Sequence, residues 1–415
     1  VNLRRNYIHQ SQAAHLIGYL SEISPTELKS GSYPDCRSGD LIGKFGAEKV
    51  YENSLRGKRG GRQVEVNANG LVVRILKTVE AEPGHNVYLT IDRSLQRRTE
   101  ALLEGVVGAA VAVEPATGQI LALASCPSFD QNSFVGGITR AQWESLISNP
   151  FRPMSNRAIQ GEYPPGSTYK IITALAGLQE GVIDEKSVLH CPGYYRFGNR
   201  IYRCWKRGGH GQVDIVKAVE ESCDVFFYQV GQQLGVDRLA WYAKAFGLGS
   251  PTGVQLDHES HGLIPTAAWK KRRTGVPWQK GETLSIAIGQ GFNLATPIQM
   301  AFLAAAVANG GQRYHPLILD RIELVDGQIL QENKPKMMGK LPVSPTHLKL
   351  VKRGLSKVVN GENGTARGSR LADIEFSGKT GTAQVISRKE DVVWSVEDLS
   401  PRFKSLAWFI AYAPS

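Results

Sequence analysis

Among the serines of this chain, only Ser167 is followed three residues later by a lysine, Lys170. A serine hydroxyl is a weak nucleophile at neutral pH and needs a base within hydrogen-bond reach. A lysine one helical turn away supplies that base, provided its ammonium can lose a proton. Pro164-Pro165-Gly166 cannot lie inside a helix, whereas Ile171, Ile172, Leu175 and Leu178 recur at helical spacing up to Gly181. A helix is therefore expected over 167–180 with Ser167 at its start. The free backbone N–H groups of such a start also suit an oxyanion. Alone, a Ser-x-x-Lys arises by chance about once or twice in a chain this long. The plainer reading makes Lys170 a solvated surface residue.

Two further groups have spacing that fits the same chemistry. Ser222-Cys223-Asp224 places two polar side chains two residues apart, and these share one site only from a turn. The apolar pattern supplies the turn, with one helix expected over 213–221 and the next over 225–234. The bland alternative is that Asp224 merely caps the second helix. Ser-x-Asp also occurs at Ser38 and Ser128. The third group is Ser377-Gly-Lys379-Thr380-Gly381-Thr382-Ala-Gln384, inside a β-run expected over 376–386. Two glycines in one strand indicate another backbone close by. A peptide could add itself along such an edge, with Lys379 giving positive charge beside the hydroxyls of Thr380 and Thr382. Lys29-Ser30-Gly31 has similar composition but lies in a loop-rich region upstream of Ser167.

Five cysteines cannot all pair. Cys36 and Cys126 stand alone, while Cys191, Cys204 and Cys223 cluster with His210 at intervals of 12, 5 and 12 intervening residues. Three thiolates and one imidazole form a recognised closed tetrahedral zinc set, although the spacing matches no finger signature. A Cys191–Cys204 disulfide with Cys223 as a small buried residue is the rival in oxidising surroundings, and free thiols are the third reading. Position favours the metal, because a ligand bond at Cys223 would pin the turn between Ser222 and Asp224. No organic cofactor is indicated.

The elements that must carry these residues follow from the rest of the chain. Its 415 residues exceed one ordinary domain. With 42% hydrophobic and 21% charged residues there is material for a sizeable core, and disorder is excluded. The first 90 residues are loop-rich and basic, with a hairpin expected at 63–67 and 71–77 about Asn69-Gly70. A strand is expected over 87–91, a helix over 94–103 and two β-runs over 109–113 and 120–124. Helices dominate the middle, including 296–309, and strands return at 376–386 and 405–412. This order reads as an α+β sheet whose first and last strands pair. The domain boundary is placed at 90, giving units 1–90 and 91–415. Forty-nine Lys and Arg against 38 Asp and Glu give a net charge of +11, which suits an anionic partner. The basic residues are scattered and not interleaved with aromatics, so nucleic acid is not expected; lipid headgroups or an acidic polymer fit better. No apolar run approaches the roughly 18 residues that span a bilayer. With no initiator Met and no signal-peptide pattern at Val1, a trimmed chain that lacks its anchor is expected.

Together and in this order, the three groups are those shared by penicillin-binding proteins and serine β-lactamases. The chain resembles class B penicillin-binding proteins well beyond them, at His15-Leu-Ile-Gly-Tyr19, Ile42-Gly-Lys44, Gly46-Ala-Glu48, Val64-Glu-Val-Asn67, Leu89-Thr-Ile-Asp92, Pro127-Ser-Phe-Asp130 and Asn156-Arg157. Stretches 205–211, 220–229 and 289–299 are similar to the elongation-specific branch of that family. Asp224 stands where the commonest motif has Asn, as it does in that branch. The family continues past Ala413-Pro-Ser415 into another strand and a helix, so an incomplete sheet is expected.

The resemblance implies the penicilloyl-serine transferase fold, an antiparallel sheet flanked by helices, behind a non-catalytic pedestal of residues 1–90. It implies that Ser167 attacks a D-Ala-D-Ala stem peptide of peptidoglycan and releases D-alanine, with Lys170 taking the hydroxyl proton. Ser222 would relay a proton to the departing amine and Asp224 would hold that network. Lys379 would favour a neutral Lys170 by like-charge repulsion. Thr380, Gly381 and Thr382 would bind substrate, with the N–H groups of Ser167 and Thr382 as oxyanion hole. An amine acceptor then completes the cross-link, and β-lactams trap Ser167. The resemblance further implies an inner-membrane anchor, a periplasmic catalytic domain, and a shape-determining glycosyltransferase and scaffold proteins as partners. Elongation-type relatives resemble this chain in carrying metal ligands between the first two motifs, which adds weight to zinc. A serine β-lactamase or carboxypeptidase would use the same core residues, but the β-lactamase would lack the first 90. A β-lactam sensor would acylate without turnover.

Overall fold

A computed structural model describes residues 5–383 and 405–415. The first stretch consists of short helices, a small ladder of Leu20–Glu22 with Leu41–Gly43, and a two-stranded ribbon, β1 (Gly61–Val66) and β2 (Val72–Val79). The ribbon turns at the Asn69-Gly70 pair, where Gly70 takes φ +75° and its N–H donates to Asn67 O. Such a backbone favours glycine, and the hairpin forms where it was expected. β3 (Asn86–Leu89) does not end the first stretch in isolation, because it pairs antiparallel with a strand more than two hundred residues later.

α1 (Arg93–Leu102) starts at Asp92, whose carboxylate accepts from Leu95 N. β4 (Gly108–Val113) and β5 (Ile120–Cys126) form an antiparallel hairpin joined by Pro115-Ala-Thr-Gly118. The serine segment begins as a 3₁₀ turn, Gly166–Tyr169, and becomes α-helical only at α2 (Lys170–Gln179). Every residue of α2 from Lys170 to Leu178 is buried, the signature of a helix apolar all round at the centre of a fold. Short strands follow: β6 (Leu189–Cys191), the hairpin β7 (Tyr194–Phe197) and β8 (Arg200–Arg203), and β9 (Gly211–Val213), which pairs with β6. α3 (Ile215–Glu220) and α4 (Asp224–Leu234) flank a sharp turn at Ser222. α5 (Val236–Ala245) and α6 (Lys280–Ala287) complete a helical layer whose core includes Ile172, Leu175, Phe226, Phe227, Leu239 and Leu284.

α7 (Pro297–Ala308) has a capping box at Thr296 and Gln299 and belongs to two cores. Ile298 packs with Ile120, Leu123 and Ile159, while Met300, Leu303 and Val307 pack in the helical core. β10 (Leu319–Glu323) lies between β3 and β11 (Ile329–Glu332). α8 (Pro345–Asn360) leads to β12 (Ser377–Ala383), which pairs residue for residue with β13 (Leu406–Tyr412).

The arrangement is the α+β class expected, with one difference. Among the described residues, β4–β5 and β12–β13 are separate two-stranded ladders, and the early and late strands share no hydrogen bonds. α7 packs against both β4 and β13, so side-chain packing on one helix, not a common ladder, brings the hairpins together. Residues 384–386 of the expected strand, and Gln384 of the third motif, lie outside the described residues. No helix among the described residues is long and apolar enough to cross a membrane.

Candidate active site

Gly166 determines how the serine meets the late strand. It adopts φ +55°, and a Cβ there would lie 2.7 Å from Thr382 O. Only glycine permits that backbone at that distance. Its N–H donates to Gly289 O at 2.9 Å. Across the same contact, a Cβ on Gly381 would meet Pro165 O at 3.0 Å and Thr168 Cγ2 at 3.1 Å. The close backbone inferred from the strand glycines is thus the serine turn itself. Trp408, opposite Gly381 in the ladder, donates its indole N–H to Pro164 O at 2.9 Å and ties the same loop down.

Lys170 is fully buried and its Nζ makes three hydrogen bonds, to Ser222 O at 2.9 Å, Ser222 Oγ at 3.1 Å and Asp224 Oδ1 at 2.6 Å. It also lies 5.5 Å from the ring centre of Phe227. The solvated-surface alternative for Lys170 is thereby overturned. Ser167 Oγ has no hydrogen-bond partner among the described residues.

Asp224 is the first residue of α4, and the capping position belongs to Cys223, which makes no side-chain cap bond. The carboxylate points elsewhere: Oδ1 takes Lys170 and Oδ2 accepts from Trp205 N at 3.0 Å. The helix-cap alternative for Asp224 does not hold. Ser222 takes φ +54°, strained for a residue with a side chain. That backbone lets Ser222 and Asp224, two residues apart in the turn, converge on one ammonium.

Lys379 is also fully buried, beneath the strand face. Burial pushes its ammonium well below the ordinary lysine value; the charge of Lys170 adds to this and Asp224 opposes it. Thr380 Oγ1 pairs with Thr365 Oγ1 at 2.8 Å. Gln290 Nε2 donates to Thr382 O at 3.1 Å.

The cysteine cluster adjoins this site. Cys191 closes β6, Cys204 follows β8, His210 precedes β9 and Cys223 fills the turn between Ser222 and Asp224. All four are buried. The Sγ atoms of Cys191 and Cys204 each lie 3.5 Å from His210 Nδ1, and all four ligand atoms fall within 4.8 Å of one another. A tetrahedral zinc with Zn–S of about 2.3 Å and Zn–N of about 2.0 Å requires N···S edges of about 3.5–3.6 Å, so the donor set fits. His210 Nε2 is buried without a hydrogen bond and faces Glu221 Oε2 at 3.8 Å, which leaves Nδ1 as the atom turned to the sulfurs. The hydrogen bond from Cys223 is the largest influence lowering the Cys204 thiol below its usual range, and the same bond raises Cys223.

Sequence reading assigned no role to Trp205, Glu221, Gln290, Thr365 or Trp408. Trp205 follows Cys204 directly, and that adjacency was the available signal. Glu221 is the residue before Ser222. Thr365 lies in a Gly-Glu-Asn-Gly-Thr loop with nothing in its local sequence to mark it.

The penicillin-binding protein transpeptidase domain matches residues 108–415, and the penicillin-binding protein dimerisation domain matches residues 1–89. The chain belongs to the penicillin-binding protein transpeptidase family. Within that family it is 38% identical to the peptidoglycan D,D-transpeptidases MrdA of Haemophilus influenzae and Escherichia coli. Both alignments cover 99% of this chain, with 64% of the first relative and 66% of the second. The chain therefore spans just under two thirds of the length of those relatives. Penicillin-binding protein PBP2 of Pseudomonas aeruginosa, solved in complex with WCK 5153, superposes with a TM-score of 0.84 at 36% identity, covering 100% of this chain and 83% of that one. PBP2 of Helicobacter pylori, solved in complex with MreC, gives 0.85 at 31% identity, covering 99% and 72%.

Proposed function

We propose that the chain is the extracytoplasmic part of a serine D,D-transpeptidase that cross-links peptidoglycan stem peptides during cell elongation. The observation that carries this reading is the convergence of Ser222 and Asp224 on the buried ammonium of Lys170, three residues after Ser167. Ser167 attacks the carbonyl between two terminal D-alanines, its proton passing to Lys170 once that residue is neutral. Ser222 relays that proton, giving its hydroxyl proton to the departing D-alanine amine and taking one back from Lys170 Nζ at 3.1 Å, and Asp224 holds the lysine and the turn in register. The N–H groups of Ser167 and Thr382, brought together at Gly166, receive the oxyanion. Thr380, Gly381 and Thr382 present a strand edge to the peptide, and the buried Lys379 near Lys170 disfavours two positive charges at once. An amine from a second stem then resolves the ester, and a β-lactam stops at it.

The cysteine set is read as a structural zinc site made by Cys191, Cys204, His210 and Cys223. The N···S distances and the inaccessibility of all four side chains support it, whereas a Cys191–Cys204 disulfide leaves the imidazole unexplained. A closed four-ligand site supplies stability and geometry and no Lewis acid. The first 90 residues are read as a pedestal above the inner membrane that docks shape-determining partners, a glycosyltransferase and a scaffold protein. The Helicobacter pylori PBP2–MreC complex supports the second of these.

Labelling with a fluorescent penicillin tests the acyl-transfer reading. Covalent label on the wild type, lost in Ser167→Ala with the fold retained, is expected. Undiminished labelling of that variant overturns the mechanism.

A further inference from the structure

The residue after Cys204 reaches the second catalytic element by two routes. Its backbone N–H donates to Asp224 Oδ2 at 3.0 Å. The indole N–H donates to the carbonyls of Glu221 at 3.0 Å and Ser222 at 3.2 Å. The Ser222 carbonyl is the oxygen that also accepts from Lys170 Nζ. One side chain and one peptide group of Trp205 therefore touch both ends of the Ser222–Asp224 turn and share an acceptor with the buried lysine.

Ser222 needs such support. Its φ of +54° is a strained backbone held in place by surrounding contacts. Those on its backbone are few: its own N–H reaches Val219 O at a long 3.4 Å, and its carbonyl takes Lys170 and Trp205. Packing does not explain the placing of the indole, which is 58% exposed and leans edge-on against His210 with ring centres 5.6 Å apart. Its polar contacts define where it sits. On its other side Trp205 is bonded to Cys204, one of the four residues of the cysteine set.

We propose that Trp205 is a positioning residue that couples the state of the Cys191–Cys204–His210–Cys223 cluster to the acylation reactivity of the Ser222–Asp224 turn. The inference rests on the acyl-transfer and metal readings above and adds the connection between them. With Cys204 held by a cation, the peptide of Trp205 stays aimed at Asp224 and the indole stays over Ser222. With the cluster empty, the end of β8 loses its anchor and both donors drift. Cys223 offers a second, direct route through its own backbone, so the contribution of Trp205 is measured as a difference between routes.

The test is a four-cornered comparison of wild type and Trp205→Phe, each zinc-loaded and each stripped with a chelator. Trp205→Phe keeps a ring at a half-exposed position and removes the indole donor. Four quantities are read: the second-order rate of fluorescent-penicillin labelling, zinc content, the thermal midpoint and the tryptophan emission change on stripping. Loaded Trp205→Phe is expected to label about 5–20-fold more slowly, with zinc content and midpoint near wild type. Stripping is expected to slow wild type at least about tenfold but the variant no more than about threefold, with the emission change largely gone. Equal labelling rates of the loaded proteins overturn the proposal, as does an equal stripping factor in both. Zinc lost from the variant in proportion to rate reduces Trp205 to a structural role and overturns it too. A wild type labelled equally well with and without zinc removes the coupling and leaves acyl transfer standing. A wild type that is never labelled removes both.

Discussion

Lys170 Nζ and Asp224 Oδ1 lie 2.6 Å apart although 54 residues separate them in sequence. The pair joins the start of the central helix to the start of α4, and it makes the lysine of the first motif part of the second. The lysine on the helix and the carboxylate on the turn thus form one unit, and the late strand brings a second buried lysine to it.

That second lysine should set a pH signature. The folded protein holds the Lys379 proton more weakly than the unfolded chain does, because burial disfavours the ammonium. Stability from this group therefore falls as pH drops from the ordinary lysine range towards the lowered folded value, and is flat below it. Lys379→Met is expected to raise stability at neutral pH by roughly 1–3 kcal/mol and to flatten the rise in thermal midpoint between neutral and alkaline pH. It should also cut penicillin labelling by at least about tenfold. A variant that melts lower than wild type at neutral pH contradicts the burial argument.

Gly166→Ala should be damaging in two ways. The φ of +55° costs about 1–3 kcal/mol for alanine, and the new methyl collides with Thr382 O. The serine turn must retreat from β12, so labelling should fall more than tenfold while the far-UV spectrum is unchanged. Chemical denaturation gives the stability term, and a wild-type labelling rate would refute the close approach.

Thr365→Val removes the hydroxyl that pairs with Thr380 Oγ1 while preserving shape. Labelling is expected to slow about three- to tenfold, the size of one lost hydrogen bond of about 1 kcal/mol, and Thr365→Ser should restore it. Equal deficits in the valine and serine variants would place the role in packing and not in the hydroxyl.

Metal analysis of purified protein should find about one zinc per chain. Cys204→Ser should lose it together with several degrees of thermal midpoint and most of the labelling rate. Metal-free wild type with an intact Cys191–Cys204 bridge, detected by mass spectrometry, would decide for the disulfide.

Much of this site was legible from local sequence because its residues carry their own structural punctuation. Pro164-Pro165-Gly166 announces the turn before Ser167, the apolar periods on either side of Ser222 announce the next, and paired glycines mark β12 as a strand something approaches. The long helices came out within a few residues for the same reason. What stayed hidden depends on tertiary contact. No pattern at Thr365 reports that its loop will fold against Thr380, and nothing at 87–91 reports a partner at 319–323. The pairing of first and last strands was inferred from order alone, and order cannot distinguish a shared ladder from two hairpins leaning on one helix.

The ladder between β3 and β10 has a practical consequence for anyone cutting this chain. A fragment started at residue 91 would leave behind Asn86–Leu89 and with it the partner of Leu319–Glu323. One edge of β10 would then present unpaired N–H and C=O groups to solvent. Leu319 and Ile322, now covered by Ala47 and Tyr51, would lie bare beside them. An open edge next to exposed aliphatic side chains invites strand addition from a neighbouring molecule. Such a fragment should precipitate or dimerise on expression, whereas one that keeps residues 46–89 should stay monodisperse.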